Sequence, residues 1–332
     1  MQWNISTTPT IVHLYKKIIT TPTLANTTFS GITNTTPFDK TIIGTKYERI
    51  PALITLNNGW LLSANDARFV STADSPANID TIVSLSKDNG STWNYKMINY
   101  FGDEANTTST KASASFIDSA LVTTNNKVIM LTDMLPAYVG LMSGNKMGNN
   151  STGFDSKGRL LLSFGTVNTD ASLLASDYIY YVDPTSLNLS VNGDKKLLHP
   201  IRQESDNTYI GYLVDDNYNL YYETEDAIFP ALTKQIGSTK YIQNNVFYYA
   251  SEWKVYPCFY IMEKEATITD DGLVWSNPKL LNVKLSSSHS LVLHQDKELL
   301  LIIIIISELF LHSMIMQKEL NMLVQFILMM VV

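Results

Sequence analysis

Cysteine, arginine and helical periodicity are what this chain has least of. Cys258 is the single cysteine among 332 residues, which excludes an internal disulfide. Beside Pro257 and Phe259 it reads as a small core residue rather than a nucleophile. Only four arginines occur, Arg49, Arg68, Arg159 and Arg202, and the formal charge is −7. That composition excludes the basic footprint of a nucleic-acid-binding protein, and the mild acidity says little beyond solubility. No long apolar face of 3.6-residue period runs between positions 40 and 290. A bilayer-spanning run is absent too. The apolar stretch "LLLIIIIIS" is shorter than the roughly 20 residues a span needs, and Glu308, Lys318 and Glu319 break up the apolar residues after it. The first residues, "MQWNISTTPTIVHLYKKIITT", have no basic start followed by an apolar core, so no secretion signal is read there, and the location stays open.

What the chain does have is short β-rich runs separated by turn residues. "ALITL" meets "NNG" and then "WLLSAND"; "IDTIVSLS" meets "KDNG" and then "STWNYKMINYF"; "FIDSALVTT" meets "NN" and then "KVIMLTDML". Asn-Gly, Asp-Asn-Gly and Asn-Asn stand where a tight hairpin needs positive φ. With 45% hydrophobic residues there is enough apolar side chain for a sizeable core. The expected class is all-β, as a sandwich, barrel or propeller. Between about 165 and 255 the turns are less regular and tyrosine is dense, as in "YIYYVD", "NLYYETE" and "VFYYASEW". Two readings stay open there: a β-rich insertion, or more sheet of the same domain.

The most specific stretch is Ser86-x-Asp88-x-Gly90-x-Thr92-Trp93. Ser86 and Asp88 have the oxygens to bind backbone groups of a turn, Gly90 supplies a φ that other residues resist, and Trp93 packs its ring beneath. A looser copy ending at Trp275 keeps Asp270 and Gly272 but has Ile268 and Val274 where Ser and Thr stand in the first.

This pattern resembles the Asp-box of the sialidases. "YERIPALITL" upstream, containing Arg49-Ile50-Pro51, resembles the Arg-Ile-Pro motif that opens the sialidase catalytic domain. "TTPFDK", "NDARFVSTAD", "SASFIDSALV" and "LTDMLPAYVG" extend the likeness to the bacterial enzymes of glycoside hydrolase family 33, of the streptococcal sialidase B or intramolecular trans-sialidase type. It covers about residues 36 to 283. The resemblance implies a partial six-bladed β-propeller with a β-rich insertion. The expected layout is 1–38 a linker or remnant of an upstream domain, 39–164 the first blades, 165–255 the insertion, and 256–283 a return to the propeller with the second Asp-box.

The resemblance also implies a chemistry: removal of terminal sialic acid from glycans or glycoconjugates, without cofactor or metal. Sialic acid carries a carboxylate on its anomeric carbon, and planar bidentate cations suit it, which favours Arg over Lys. Arg49 matches the first of three clamping arginines. Arg68, nineteen residues on, lines the same pocket near the sugar's O4 or its carboxylate. Asp74 matches the acid/base aspartate that protonates the departing oxygen and later activates water. Asp118, unusual within an apolar strand pattern, matches a pocket aspartate near the N-acetyl region; a strand-end turn acceptor is the alternative. Ser86, Asp88, Gly90, Thr92, Trp93, Asp270, Gly272 and Trp275 are structural Asp-box residues.

The departures are as clear. No arginine follows Arg202, no tyrosine follows Tyr260, no Gly-Pro-Gly follows "WSNPKLLNV", and Glu298, Glu308 and Glu319 are the only glutamates beyond the second Asp-box. No counterpart of the family's tyrosine nucleophile is found. Residues 284–332 are therefore expected to be non-native, as a frameshift in an A/T-rich gene would produce, leaving the chain catalytically incomplete. Two alternatives to an enzyme remain: a non-catalytic sialic-acid-binding propeller fragment, and a propeller interaction protein in which the Asp-boxes are only structural.

Overall fold

The computed structural model describes residues 45–100, 114–124, 126–140, 151–165, 175–234, 241–248 and 250–281, with residues 35, 37, 38 and 239. The first 34 positions and the tail 284–332 lie outside the described residues. Nearly all regular structure is strand, as the turn-punctuated runs predict; among the described residues the one helical turn is Ala175–Asp177. No described helix is long and apolar enough to cross a membrane.

The strands are β1 (Tyr47–Thr55), β2 (Leu61–Arg68), β3 (Ile79–Ser86), β4 (Asn94–Asn99), β5 (Ser115–Thr124), β6 (Lys127–Leu135), β7 (Leu161–Phe164), β8 (Tyr180–Val182), β9 (Leu187–Val191) and β10 (Asp194–Gln203). They continue as β11 (Tyr209–Val214), β12 (Leu220–Glu223), β13 (Ile228–Pro230), β14 (Leu232–Lys234), β15 (Tyr241–Gln243), β16 (Trp253–Val255), β17 (Tyr260–Thr269), β18 (Gly272–Trp275) and β19 (Lys279–Leu281).

The first sheet contains two antiparallel four-stranded meanders. One is β1-β2-β3-β4 and the other is β5-β6-β17-β18, with β19 added beside β17. A single parallel bridge, Ile79 to Ser115, joins them. The sequence explains the burial of each strand. β1 is an edge strand of alternating exposure, whereas β2, β3 and β5 are covered on both faces over most of their length. An apolar layer between the meanders takes Leu62, Ala64, Val83 and Ile98 from the first and Leu121, Val128, Met130 and Ala266 from the second.

Both meanders begin with the same irregularity. Between the pairs Arg49–Asp66 and Ala52–Ala64, two residues of β1 stand opposite one of β2. Between Ile117–Asp133 and Ala120–Leu131, two residues of β5 stand opposite one of β6. The first bulged residue has positive φ in each, 53° at Ile50 and 58° at Asp118. Such a bulge re-aims the side chains beside it.

In each meander the third and fourth strands are joined at the Asp-box position. In the first, the Ser86 hydroxyl donates to Asp88 Oδ1 at 2.9 Å and accepts the Gly90 N–H at 2.7 Å. Asp88 also accepts the Thr92 N–H at 2.8 Å and the Thr92 hydroxyl at 2.6 Å. The Trp93 indole donates to the Gly90 carbonyl at 3.1 Å. Two consecutive positive φ values, 55° at Asn89 and 86° at Gly90, close the turn. These bonds to the ionised form hold the Asp88 carboxyl at about 2. In the second, Asp270 and Asp271 span a two-residue hairpin in which the Thr269 hydroxyl donates to the Gly272 carbonyl at 3.0 Å. Lys87 of the first turn donates to the main-chain carbonyl of Asp270 at 3.0 Å, so the two turns touch.

Between β6 and β17, neighbours in the second meander, the chain makes a separate eight-stranded sheet, ordered β11-β12-β13-β9-β10-β8-β7-β16, and the β14-β15 hairpin. The tyrosine-dense stretch supplies its core. Tyr178, Trp253 and Tyr256 pack in one layer with Phe116, Met134, Tyr260 and Met262 of the second meander. Gly153 sits against that layer with φ +80°, and a Cβ there would lie 2.3 Å from the Tyr260 hydroxyl oxygen. Cys258 lies in the same layer, and burial pushes its thiol up to about 12, as suits a core residue.

Candidate active site

The site is built where β1 bulges, where β2 ends and where the 69–78 loop leads into β3. On a strand, residues two apart share a face, so Asp66 and Arg68 of "NDAR" lie on the same side of β2. Arg49 is paired with Asp66 across the ladder. All three side chains are thereby brought to one patch.

Asp74 completes it. Its Oδ1 lies 3.2 Å from Arg49 Nη1 and 2.8 Å from Arg68 Nη1. The same two guanidiniums share a carbonyl: Arg49 Nη1 donates to Thr72 O at 2.7 Å and Arg68 Nη1 at 2.9 Å. Arg68 Nη1 also reaches Ala73 O at 2.7 Å. The loop is held at its far end, since the Ser75 hydroxyl donates to the Val139 carbonyl, the Ala77 N–H to Asp74 O at 3.2 Å and the Ser115 hydroxyl to Ala77 O at 2.5 Å.

Burial divides the four charged groups. Arg68 and Asp66 are sealed, at 1% and 0% exposure, while Arg49 and Asp74 face solvent, at 40% and 65%. A sealed guanidinium costs least when its donors are met; Nη1 and Nη2 of Arg68 are met, while its Nε has no hydrogen-bond partner among the described residues. Asp66 Oδ2 accepts from Arg68 Nη2 at 2.7 Å. Asp66 Oδ1 accepts the Asp118 N–H at 3.1 Å. One carboxylate therefore ties Arg68 to the bulge of the second meander, and Asp118 joins the site through its main chain. Burial raises the Asp66 carboxyl to about 7, with the nearby Asp118 charge adding to the rise and Arg68 opposing it.

Arg49, Arg68 and Asp74 thus stand together, and Asp118 is beside them at 7% exposure. The Asp-box residues stand apart, at the opposite ends of β3 and β17. Asp66 is the member that sequence reasoning passes over. Its signal is an acid two residues before an arginine in a strand, which places both on one face.

No family model matches the chain. Sialidase B of Streptococcus pneumoniae is 30% identical over 273 residues, 74% of this chain and 35% of that protein. The anhydrosialidase of Macrobdella decora is 26% identical over 254 residues, 70% of this chain and 30% of that protein. Among solved structures, the intramolecular trans-sialidase of Ruminococcus gnavus superposes with a TM-score of 0.55 at 25% identity, covering 74% of this chain and 50% of that one. The NanB sialidase of S. pneumoniae gives 0.53 at 27% identity, covering 74% and 37%. The all-β fold is that of a sialidase-like protein. Within that class, the chain is a relative of the bacterial sialidases of the sialidase B type. It spans about a third of the length of the curated relatives it matches.

Proposed function

We propose that the chain carries part of the sialic-acid site of a retaining sialidase, with its two meanders as neighbouring propeller blades and its second sheet as an insertion. The observation that supports this most is the meeting of Arg49 Nη1 and Arg68 Nη1 at one oxygen of Asp74. In this reading the carboxylate of the sugar takes the guanidinium donors that Asp74 now holds. Asp74 is then released from both guanidiniums. A protonated Asp74 is what the leaving glycosidic oxygen requires. Arg68, buried and tied to Asp66, is the fixed half of the clamp; Arg49, half exposed, is the adjustable half. Asp118 lies on the side assigned to the N-acetyl group. The substrate is a terminal sialic acid on a glycan or glycoconjugate.

A second reading is binding without turnover, in which Arg49 and Arg68 hold the sugar's carboxylate as they hold Asp74 and no bond is cleaved. Incubation of the purified protein with a fluorogenic sialoside separates the two. Release of the fluorophore, reduced on the order of 10²-fold or more in Asp74→Asn, identifies an enzyme. Saturable binding without release identifies a binding module. Neither release nor binding overturns both.

A further inference from the structure

A cleft of about 680 Å³ lies between β4, the β17 and β18 hairpin, β15 and the turn that carries Asn217 and Asn219. It shares no residue with the Arg49–Asp74 cluster. Among the described residues its lining contains Lys96 and Lys264 and no aspartate or glutamate. In a chain of net charge −7, two lysines facing one concavity without an acid between them form a local positive field that favours an anion. Lys264 Nζ donates one hydrogen bond, to the Ile98 carbonyl at 2.7 Å, and an ammonium has three N–H groups to give. Burial, and then repulsion from Lys96, pull the Lys264 ammonium down to about 8.

The rest of the lining suits a sugar. Tyr100 and Tyr241 are 46% and 63% exposed at its walls, and Trp275, half-buried at the end of β18, forms another side. Exposed rings of this kind present flat apolar faces with a polar tip. Asn217 adds an amide that both donates and accepts. A few convergent polar groups among aromatic walls is the usual make-up of a small-molecule site.

We infer that this cleft is a second, non-catalytic binding site for an acidic saccharide, with the carboxylate or sulfate on Lys96 and Lys264 and a sugar ring against Tyr241 and Trp275. The inference does not rest on the reading of the first site. Calorimetric titration of the full chain tests it, with the unsaturated chondroitin 4-sulfate disaccharide as probe and lactose and inorganic sulfate as controls. The disaccharide is expected to bind at least tenfold more tightly than either control. Lys96→Glu and Tyr241→Ala, both at exposed positions, are expected to weaken it at least tenfold and about threefold, while Arg49→Met leaves it unchanged. Equal affinity for sulfate and disaccharide would overturn the saccharide assignment. Affinity unmoved by Lys96→Glu, or no binding at all, would overturn the site.

Discussion

The two meanders are the same scaffold carrying different chemistry. Aligned on their bulges, Arg49 corresponds to Ile117, Asp66 to Asp133 and Arg68 to Leu135. The first meander puts two guanidiniums where the second puts two aliphatic side chains, and Ile117 and Leu135 pack in an apolar cluster with Ile79 and Val139. The turns differ in the same spirit. The first is stitched by Asp88, while among the described residues Asp270 contributes its main-chain carbonyl, to Lys87, rather than its carboxylate. The bulge and the meander are thus generic, and the cluster of charge belongs to the few side chains that differ on them.

Exchanging one residue between the meanders tests this most severely. Arg68→Leu copies the second meander into the first and leaves Asp66 sealed without its cation. A loss of about 3–5 kcal/mol in urea unfolding is expected. Adding Asp66→Asn, which removes the carboxyl left without its partner, is expected to restore part of it above about pH 8, where that carboxyl is driven to ionise. If the single and double variants unfold alike, the buried pair does not organise the site.

Asp80 sharpens the comparison next. It is fully buried in β3, neither carboxylate oxygen has a hydrogen-bond partner among the described residues, and burial raises its carboxyl well above the usual range. At the matching place in β17, Tyr260 donates to the Tyr256 carbonyl at 2.8 Å. The folded state holds the Asp80 proton to a higher pH than the unfolded chain does. The two states are equal in this respect below about pH 4, and stability then falls as pH rises towards the raised value. Asp80→Asn is expected to unfold like the parent at pH 4 and to gain about 1–3 kcal/mol at pH 8. A gain of equal size at both pH values would contradict the assignment.

The turns provide a smaller contrast. Ser86→Ala removes two hydrogen bonds and is expected to cost about 1–2 kcal/mol, whereas Asp270→Ala at the second turn stays within about 0.5 kcal/mol. Equal losses would mean that the looser copy is stitched after all. Smallest is Lys87→Met. It removes the ammonium that lies 4.2 Å above the Trp60 ring and bonds Asp270 O, an exposed contact worth about 0.5–1 kcal/mol.

Much of the fold is legible in the residues. Asn-Gly and Asp-Asn-Gly announce the hairpins because positive φ has few carriers, and Ser86 to Trp93 announces its own hydrogen bonds because the spacing matches the turn. Arg49, Arg68 and Asp74 are legible through a family resemblance, not through physics: no local rule brings residues 25 apart to one oxygen. Asp66 escapes notice because its role depends on Asp118, a neighbour 52 positions away that only the bulge of β5 brings near. Insertion and continued sheet cannot be told apart from residues alone, since strand runs look alike whichever sheet they join. That β6 pairs with β17 across residues 136–259 is likewise a non-local fact.

The central claim is that Arg49 and Arg68 form one carboxylate clamp that Asp74 occupies in the free protein. Titration of free sialic acid into the parent, Arg49→Met and Asp74→Asn proteins tests it directly. The clamp predicts saturable binding to the parent, a loss of tenfold or more in Arg49→Met, about 1.4 kcal/mol, and equal or tighter binding in Asp74→Asn, where the competing anion is gone. Undiminished affinity in Arg49→Met, or a collapse of binding in Asp74→Asn, would contradict it.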